Sequence, residues 1–319
     1  MWLDIPATRA QGERWGEIVD KTVSPPYCGR STELAPIIGA AAAVVVASIY
    51  GRPPHAIVTF WVMVFATGLG LNVGFHRLFA HRSFATLRPV EWILMILGCM
   101  SGGSPFFWIA AHRAHHRCSD RHGDPHSPHI LGRRRLGFLR GFWHSYFAWL
   151  HVRGYAYQGS AIQDLSCRPD LAWIDRHWLS WNLVGLPIPA IVGCLIGGSA
   201  YDALIGFLWG GLLRQFVVLQ LPFLVNAVCH LWGTRPYDTG DQSRNNALLG
   251  LLAFGEGWHN NHHAFPYSAR HGFRWWQVDL AWYVIWLMER VRLAWDVKRP
   301  RFSTRGEFSS SAPLLDEGR

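Results

Sequence analysis

Apolar residues gather in blocks along this chain rather than alternating with polar ones. Four blocks stand out, roughly Leu34–Tyr50, Ala56–Phe75, Trp181–Ala200 and Ala203–Val228. Each is close to the ~20 residues that carry a helix across a bilayer core. Only Gly51-Arg52-Pro53-Pro54-His55 separates the first two, and only Tyr201-Asp202 the last two, so the pattern predicts two tight helical hairpins. Pro187 and Pro189 make the third block the least regular, and Trp61, Trp181 and Trp209 suit interfacial anchoring. A further stretch, Val90–Ala111, is apolar but broken by Gly102, Gly103 and Pro105. It reads as a helix lying in or dipping into the membrane, because a crossing would separate the polar segments on either side of it. Residues 275–294 mix apolar and charged positions at helical spacing, which suits an interfacial amphipathic helix. The pattern thus delimits a cytosolic segment 1–33, an integral-membrane domain 34–301, and a Ser-rich tail 302–319 expected to be disordered. No internal repeat is visible.

Charge orients this layout. The chain has 319 residues, half of them apolar, with 18 Trp and a formal charge of +9. Most Arg and Lys fall in segment 76–180 and after His230, whereas the two short turns carry only Arg52. Both large segments and both termini are therefore expected in the cytoplasm, the inner-membrane arrangement if the source is bacterial. No nucleic-acid motif accompanies the basic excess, so no nucleic-acid partner is expected. The six cysteines form no C-x-x-C pair and read as small buried hydrophobes. The N-terminus M-W-L-D-I-P-A-T-R-A has no basic region followed by an apolar core, so no signal peptide is expected.

Histidine changes the picture from architecture to chemistry. H-R-L-F-A-H holds His76 and His81, H-R-A-H-H holds His112, His115 and His116, and H-N-N-H-H holds His259, His262 and His263. His230 ends the fourth apolar run, one turn after Asn226. The second and third clusters have i, i+3, i+4 spacing, which puts three imidazoles on one helical face. His76 and His81, five apart, suit a helix that frays or kinks at the membrane surface. Four ligands satisfy one zinc ion, so eight or nine suggest two metals. Polar groups at the end of a span are expensive unless used. All the clusters fall on the one side that the charge rule makes cytoplasmic. Nitrogen-only ligation suits Fe, Zn or Cu. A paired site at the end of apolar helices points to oxygen chemistry on an apolar substrate, and hence to iron. Asp124 and Glu256 stand beside clusters where they would orient ligand imidazoles. His55, His122, His126, His129, His144, His151, His177 and His271 lie outside the pattern and read as surface, supporting or packing residues. Arg113, Arg117 and Arg121 read as charge partners or headgroup contacts.

In combination, H-R-L-F-A-H-R-S-F, H-R-A-H-H-R-C-S-D followed by D-P-H, and G-E-G-W-H-N-N-H-H-A-F-P resemble the three histidine boxes of the membrane fatty acid desaturases. N-A-V-C-H-L-W-G (226–233), R-P-Y-D-T-G-D-Q-S-R-N-N and Y-S-A-R-H-G-F-R-W-W-Q-V-D resemble its Δ9, stearoyl-CoA desaturase-like subgroup. The resemblance covers roughly residues 35–300. It implies an all-α membrane protein with four transmembrane helices in two hairpins under a cytosolic helical cap holding a histidine-rich di-iron site. Two Fe ions (Fe2+/Fe3+) would be held by the nine histidines named, with Asn226 on an iron-bound water. A bent acyl tunnel is implied beside Trp108, Pro222 and Phe223. The implied reaction uses O2 and two electrons to place a cis double bond in a long-chain acyl-CoA or acyl-lipid. Electrons would come from a separate ferredoxin- or cytochrome b5-type donor with its reductase, since no haem, flavin or iron–sulfur motif is present. Two departures stand out. Pro222-Phe223 replaces the usual Thr-Trp, and Phe147 replaces a His after the second box. A di-iron hydroxylase or ketolase is the alternative enzyme, and the N-x-x-x-H and H-N-N-H-H contexts argue against it. A metal transporter would need ionisable groups inside several spans, and those before His230 nearly lack them.

Overall fold

A computed structural model describes residues 31–151 and 159–301. The segment 1–30 and the tail 302–319, including the expectation of disorder there, lie outside the described residues. Helices dominate, and each begins and ends where the sequence supplies a reason. Helix α1, Ser31–Tyr50, stops at Gly51, whose φ of +85° suits only glycine comfortably. Helix α2 starts at Pro54, a good first helical residue, and covers Pro54–Leu69. It then runs on without a break as a π-helical segment, Gly70–Ala80. Helices α3 (Arg88–Cys99) and α4 (Pro105–Cys118) are the two halves of the broken apolar stretch. The break holds Gly102 and Gly103 at positive φ, and the Ser104 side chain caps α4 by accepting from the Phe107 N–H.

Beyond α4 come α5 (Phe138–Tyr146), α6 (Pro169–Arg176), α7 (Trp178–Val184) and α8 (Pro187–Gly197). Helix α9 is one long rod, Ala200–Leu231, π-helical over Phe207–Leu213. The short helices α10 (Ala247–Leu252), α11 (His259–Ala264) and α12 (Leu280–Arg290) complete the chain. The expected amphipathic segment is helical only from Leu280, where Asp279 caps it by accepting from the Trp282 N–H. A two-residue antiparallel pairing of Ala85–Thr86 with Ala294–Trp295 ties the C-terminal region back beside the first histidine box.

Three helical stretches are long and apolar enough to cross a membrane: Pro54–Ala80, Trp178–Gly197 and Ala200–Leu231. The apolar part of α1, Leu34–Tyr50, is shorter. At 1.5 Å per residue its 17 residues reach about 25 Å, the lower limit for a span. These helices turn apolar side chains outward. Leu195, Ile49 and Ile38 are 80%, 67% and 66% exposed. A surface of this kind fits lipid, not water. Two details differ from the expected layout. The second hairpin turns at Gly198-Ser199, not at Tyr201-Asp202: Gly198 takes the left-handed conformation and the Ser199 hydroxyl accepts from the Asp202 N–H. Cys99 and Cys229 are buried as expected, whereas Cys167 and Cys194 are exposed, and among the described residues all the cysteines are free.

Helix α2 and helix α3 approach closely because both are glycine at the crossing. A Cβ on Gly70 would lie 2.2 Å from the Gly98 nitrogen, and one on Gly98 would lie 2.3 Å from the Phe75 ring. The broken helices leave carbonyls without intrahelical partners. Arg214, fully buried in α9, donates to two of them, Met100 O at 2.5 Å and Gly185 O at 3.3 Å. The Asn182 amide donates to Cys99 O at 3.2 Å, and Gln215 donates to Asn182 at 3.2 Å. Those polar residues make the non-helical backbone at this depth tolerable.

Candidate metal centre

The first histidine pair is delivered by the π-helical end of α2, not by fraying. A π-helix bonds i to i+5, and the His81 N–H donates to His76 O at 3.1 Å. Residues five apart then share a face, which brings His76 and His81 inward together with ring centroids 4.9 Å apart. Helix α4 presents His112, His115 and His116 on one face, helix α11 presents His259, His262 and His263, and the end of α9 presents His230.

These nine rings sort into two sets. The nitrogens of His76, His81, His112, His116 and His262 converge in one, and those of His115, His230, His259 and His263 in the other; within each set the ligand atoms lie within 4.8 Å of one another. Helices α4 and α11 contribute to both, so the sets are neighbours, and His116 and His263 face each other across them with ring centroids 4.5 Å apart. The Nε2–Nε2 distances are 3.1 Å for His76–His262, 2.8 Å for His81–His112, 2.8 Å for His116–His262 and 3.1 Å for His230–His259. Two imidazole nitrogens bound at ~2.1 Å and at right angles to one ion sit about 3.0 Å apart, so this donor set fits metal. Among the described residues, the buried Nε2 atoms of His115 and His263 have no protein partner, as expected of nitrogens aimed at an ion.

Carboxylates fix the other side of several rings. His76 Nδ1 lies 2.7 Å from Glu256, His115 Nδ1 3.0 Å from Asp124, His230 Nδ1 2.8 Å from Asp120 and His263 Nδ1 2.6 Å from Asp241. An Nδ1–H donated to a carboxylate leaves Nε2 as the lone-pair ligand. Most of the electrostatics agree; at His230 burial is outweighed by Asp120, which raises its protonation. Burial pushes the protonation of His112, His116, His259 and His262 well below the ordinary histidine range, and that of His263 to about 4. Burial works against ionisation of Asp124, but His115 beside it and the hydrogen bond between them hold its carboxyl at about 2. Glu256 is held well below its usual range, burial being outweighed by His76, Arg77 and His271. Neutral imidazoles around ionised carboxylates are what a divalent cation requires.

Asp124 and Glu256 orient rings as the sequence suggested. Asp120 and Asp241 were not legible as partners, since they come from the loops after α4 and α9. Arg77, fully buried, ties Glu256 (3.1 Å) to Asp279 (2.8 Å) and donates to Ala269 O at 2.7 Å. His271 is buried within this network, 3.3 Å from Glu256, and is a supporting group rather than a surface one. His126 is likewise buried, stacked 4.3 Å from His115. His55 lies 3.1 Å from Asp202, joining the starts of α2 and α9.

The three tunnel candidates separate. Phe223 lines an apolar cavity of about 170 Å³ with Trp143, Tyr146, Phe147, Trp178 and Leu219. Trp108 stacks on His112 at 5.0 Å and approaches His76 at 5.8 Å, on the wall of the metal centre. Pro222 sits inside α9 and does not line that cavity. Asn226 is half-buried one turn before His230, on the same helix. Phe147, where a histidine was the expected type, packs on Phe223 at 6.2 Å.

A family model described as fatty acid desaturase matches residues 53–297. The chain is 45% identical over 235 residues, 73% of each chain, to a hex-5-enoyl-[acyl-carrier protein] acetylenase of Moorena producens (strain JHB). It is 36% identical to an sn-1 stearoyl-lipid 9-desaturase of Anabaena variabilis, covering 76% of this chain and 82% of that one. It is also 36% identical to an acyl-CoA C20 Delta5-desaturase of Anemone leveillei, covering 76% and 74%.

Proposed function

Since this chain belongs to the fatty acid desaturase family, we propose that its nine histidines hold two irons and that it desaturates a fatty acyl chain at an unactivated CH2–CH2 pair, with Δ9 as the expected position. The carrying observation is the division of the rings into a set of five and a set of four, each convergent to within 4.8 Å. Bound there, iron would supply the oxidising power that no side chain has, in a reaction that balances as CH2–CH2 + O2 + 2 e− + 2 H+ → cis CH=CH + 2 H2O. The protein's own share is positional. Asp120, Asp124, Asp241 and Glu256 hold the imidazoles in one tautomer. Asn226, one turn before His230 on α9, would hold a metal-bound water. Trp108, stacked on His112, walls one side of the centre.

The apolar cavity is the natural seat for part of the acyl chain. Phe223 is seven residues before His230 on α9, about 10 Å along the axis. That places the cavity within reach of the metal centre but below it. In this reading the chain spans the membrane four times, with α1 as the shortest span, and the histidine-bearing helices form a cytosolic cap. Basic residues in the segments that carry the boxes support that side. Two electrons come from an external carrier.

Position and carrier are set by the cavity rather than by the irons. Relatives of similar identity are named for different positions and carriers: a lipid 9-desaturase, an acyl-CoA Delta5-desaturase and a palmitoyl-monogalactosyldiacylglycerol delta-7 desaturase. The acetylenase relative favours a second reading, in which the substrate already carries a double bond and the product is an alkyne. A desaturase-deficient host expressing this chain distinguishes the two, by whether mapped products are alkenes or alkynes. Phe223→Trp is expected to shift the product position or the preferred chain length with iron content intact. Loss of activity only in proportion to lost folded protein would make Phe223 structural.

A further inference from the structure

Four arginines, Arg133, Arg134, Arg135 and Arg140, fall within one short stretch just before and inside α5. All are exposed, and among the described residues none has an ion-pair partner. The platform beneath them is fixed. Ile130–Leu131 and Arg134–Arg135 pair as a two-residue antiparallel hairpin. His129 Nε2 lies 2.9 Å from His230 O, which ties the base of that hairpin to the end of α9. Helix α5 follows directly. A Cβ on its Gly141 would lie 1.9 Å from Pro128 O, so α5 packs closely against the segment before the hairpin. A solvated basic loop needs none of this anchoring.

The same helix carries an apolar side. Leu139 is 80% and Trp143 55% exposed, and Phe138 is exposed beside them. Trp143 follows Leu139 by four residues and Arg140 by three, so the three share one side of α5. Trp143, Tyr146 and Phe147 also line the apolar cavity, together with Ile37 of the lipid-facing α1. The cavity thus lies where the apolar side of α5 meets the lipid-facing side of α1. Read along α5, charge comes first, then Leu139, then Trp143 and the cavity. A membrane lipid presents its phosphate, glycerol and acyl chain in that order. The phosphates of a water-soluble thioester carrier would satisfy the arginines but leave Leu139 and Trp143 in water.

We propose that the arginine hairpin and α5 hold the anionic headgroup of a membrane glycerophospholipid at the mouth of the apolar cavity. Arg133, Arg134, Arg135 and Arg140 take the phosphate, for which the guanidinium fork is suited. Phe138, Leu139 and Trp143 sit at the headgroup–acyl boundary, as in other interfacial helices with basic and aromatic sides. The acyl chain then passes between α5 and α1 into the cavity while still esterified. The substrate class is therefore an acyl chain on an anionic lipid, taken from the leaflet. That last step rests on the desaturase reading; the headgroup site does not.

The test reads occupancy rather than turnover. The iron-loaded protein in phosphatidylcholine nanodiscs receives a trace of lipid with a photoactivatable diazirine in its acyl chain, carried on phosphatidylglycerol or on phosphatidylcholine. After irradiation the labelled residues are mapped by mass spectrometry. Label is expected on cavity residues such as Phe147, Leu219 and Phe223, at least about fivefold stronger from phosphatidylglycerol. Arg133→Gln/Arg134→Gln/Arg135→Gln/Arg140→Gln is expected to lower it to the phosphatidylcholine level, with iron content and unfolding temperature unchanged. The corresponding Lys variant, which keeps the charge, is expected to retain most of the preference. Equal labelling by the two lipids, label confined to the outer faces of the spans, or an unchanged Gln variant would overturn the proposal. So would loss of the preference in the Lys variant, or displacement of the label by free coenzyme A, which would assign the arginines to a soluble carrier. Cavity labelling as expected in a protein that forms no unsaturated product on that lipid would instead remove the desaturase reading.

Discussion

Each imidazole of the centre is useful only if it is neutral, correctly tautomerised and aimed, and single residues control all three. Asp124 shows this most cleanly. Its carboxylate sits 3.0 Å from His115 Nδ1 and also accepts from the backbone N–H groups of Asp120 and His126. Asp124→Asn keeps the shape but removes the charge that fixes the His115 ring. Iron is expected to leave the variant about 10–100-fold faster under a chelator, the usual scale for an outer-sphere partner; release at the wild-type rate would show that ring aim does not depend on the carboxylate. Much of this residue level was legible beforehand. The i, i+3, i+4 spacings put the right histidines on two helical faces, and Asp124 and Glu256 stand next to boxes. Asp120, Asp241, Arg77 and His271 were not legible as a network, because their partners are 22 to 202 residues away in sequence and no local period reports such pairings. His55 also gains a role from the fold: beside Asp202, its replacement is expected to loosen the α2–α9 junction rather than to be neutral.

At the scale of elements, the deciding features are departures from regular helix. A strict α-helix over 70–81 would separate His76 from His81 by 140° around the axis at 100° per residue, whereas the π-helical turn aligns them. Hydrophobic periodicity cannot announce this, since a buried helix is apolar all round and π-bulges leave no compositional mark. The break between α3 and α4 was readable from Gly102, Gly103 and Pro105. Its cost was not, because Arg214, Asn182 and Gln215 come from distant helices. The α2–α3 crossing offers a direct check. Gly98→Ala drives a methyl to 2.3 Å from the Phe75 ring, next to His76, whereas a Cβ on Gly137 meets nothing within 4 Å. Overpacking of this kind costs about 1–3 kcal/mol. Thermal unfolding in detergent should show that loss for Gly98→Ala, together with reduced iron, and little change for Gly137→Ala. Equal stability of the two variants would mean that the helices part easily and that the crossing does not hold the first histidine box.

For the whole molecule, the apolar blocks carried the placing of the long helices. The three long spans coincide with expected ones, shifted by a few residues at their ends because turns and caps such as Gly198-Ser199 set where each helix stops and starts. The short α1 decides whether the chain crosses three times or four. Reporter fusions at the N-terminus and at residue 52, on either side of α1, should fall on opposite sides of the membrane if α1 spans; signals on one side would leave α1 lying at the surface and split the first hairpin. The most direct test of the central claim is the metal content of the purified chain, wild type against His262→Ala. His262 serves the five-nitrogen set, within 3.1 Å of His76 and 2.8 Å of His116. The account predicts about two irons per chain in the wild type and a clear loss in the variant. A single metal per chain, zinc in place of iron, or an unchanged iron content in His262→Ala would contradict it.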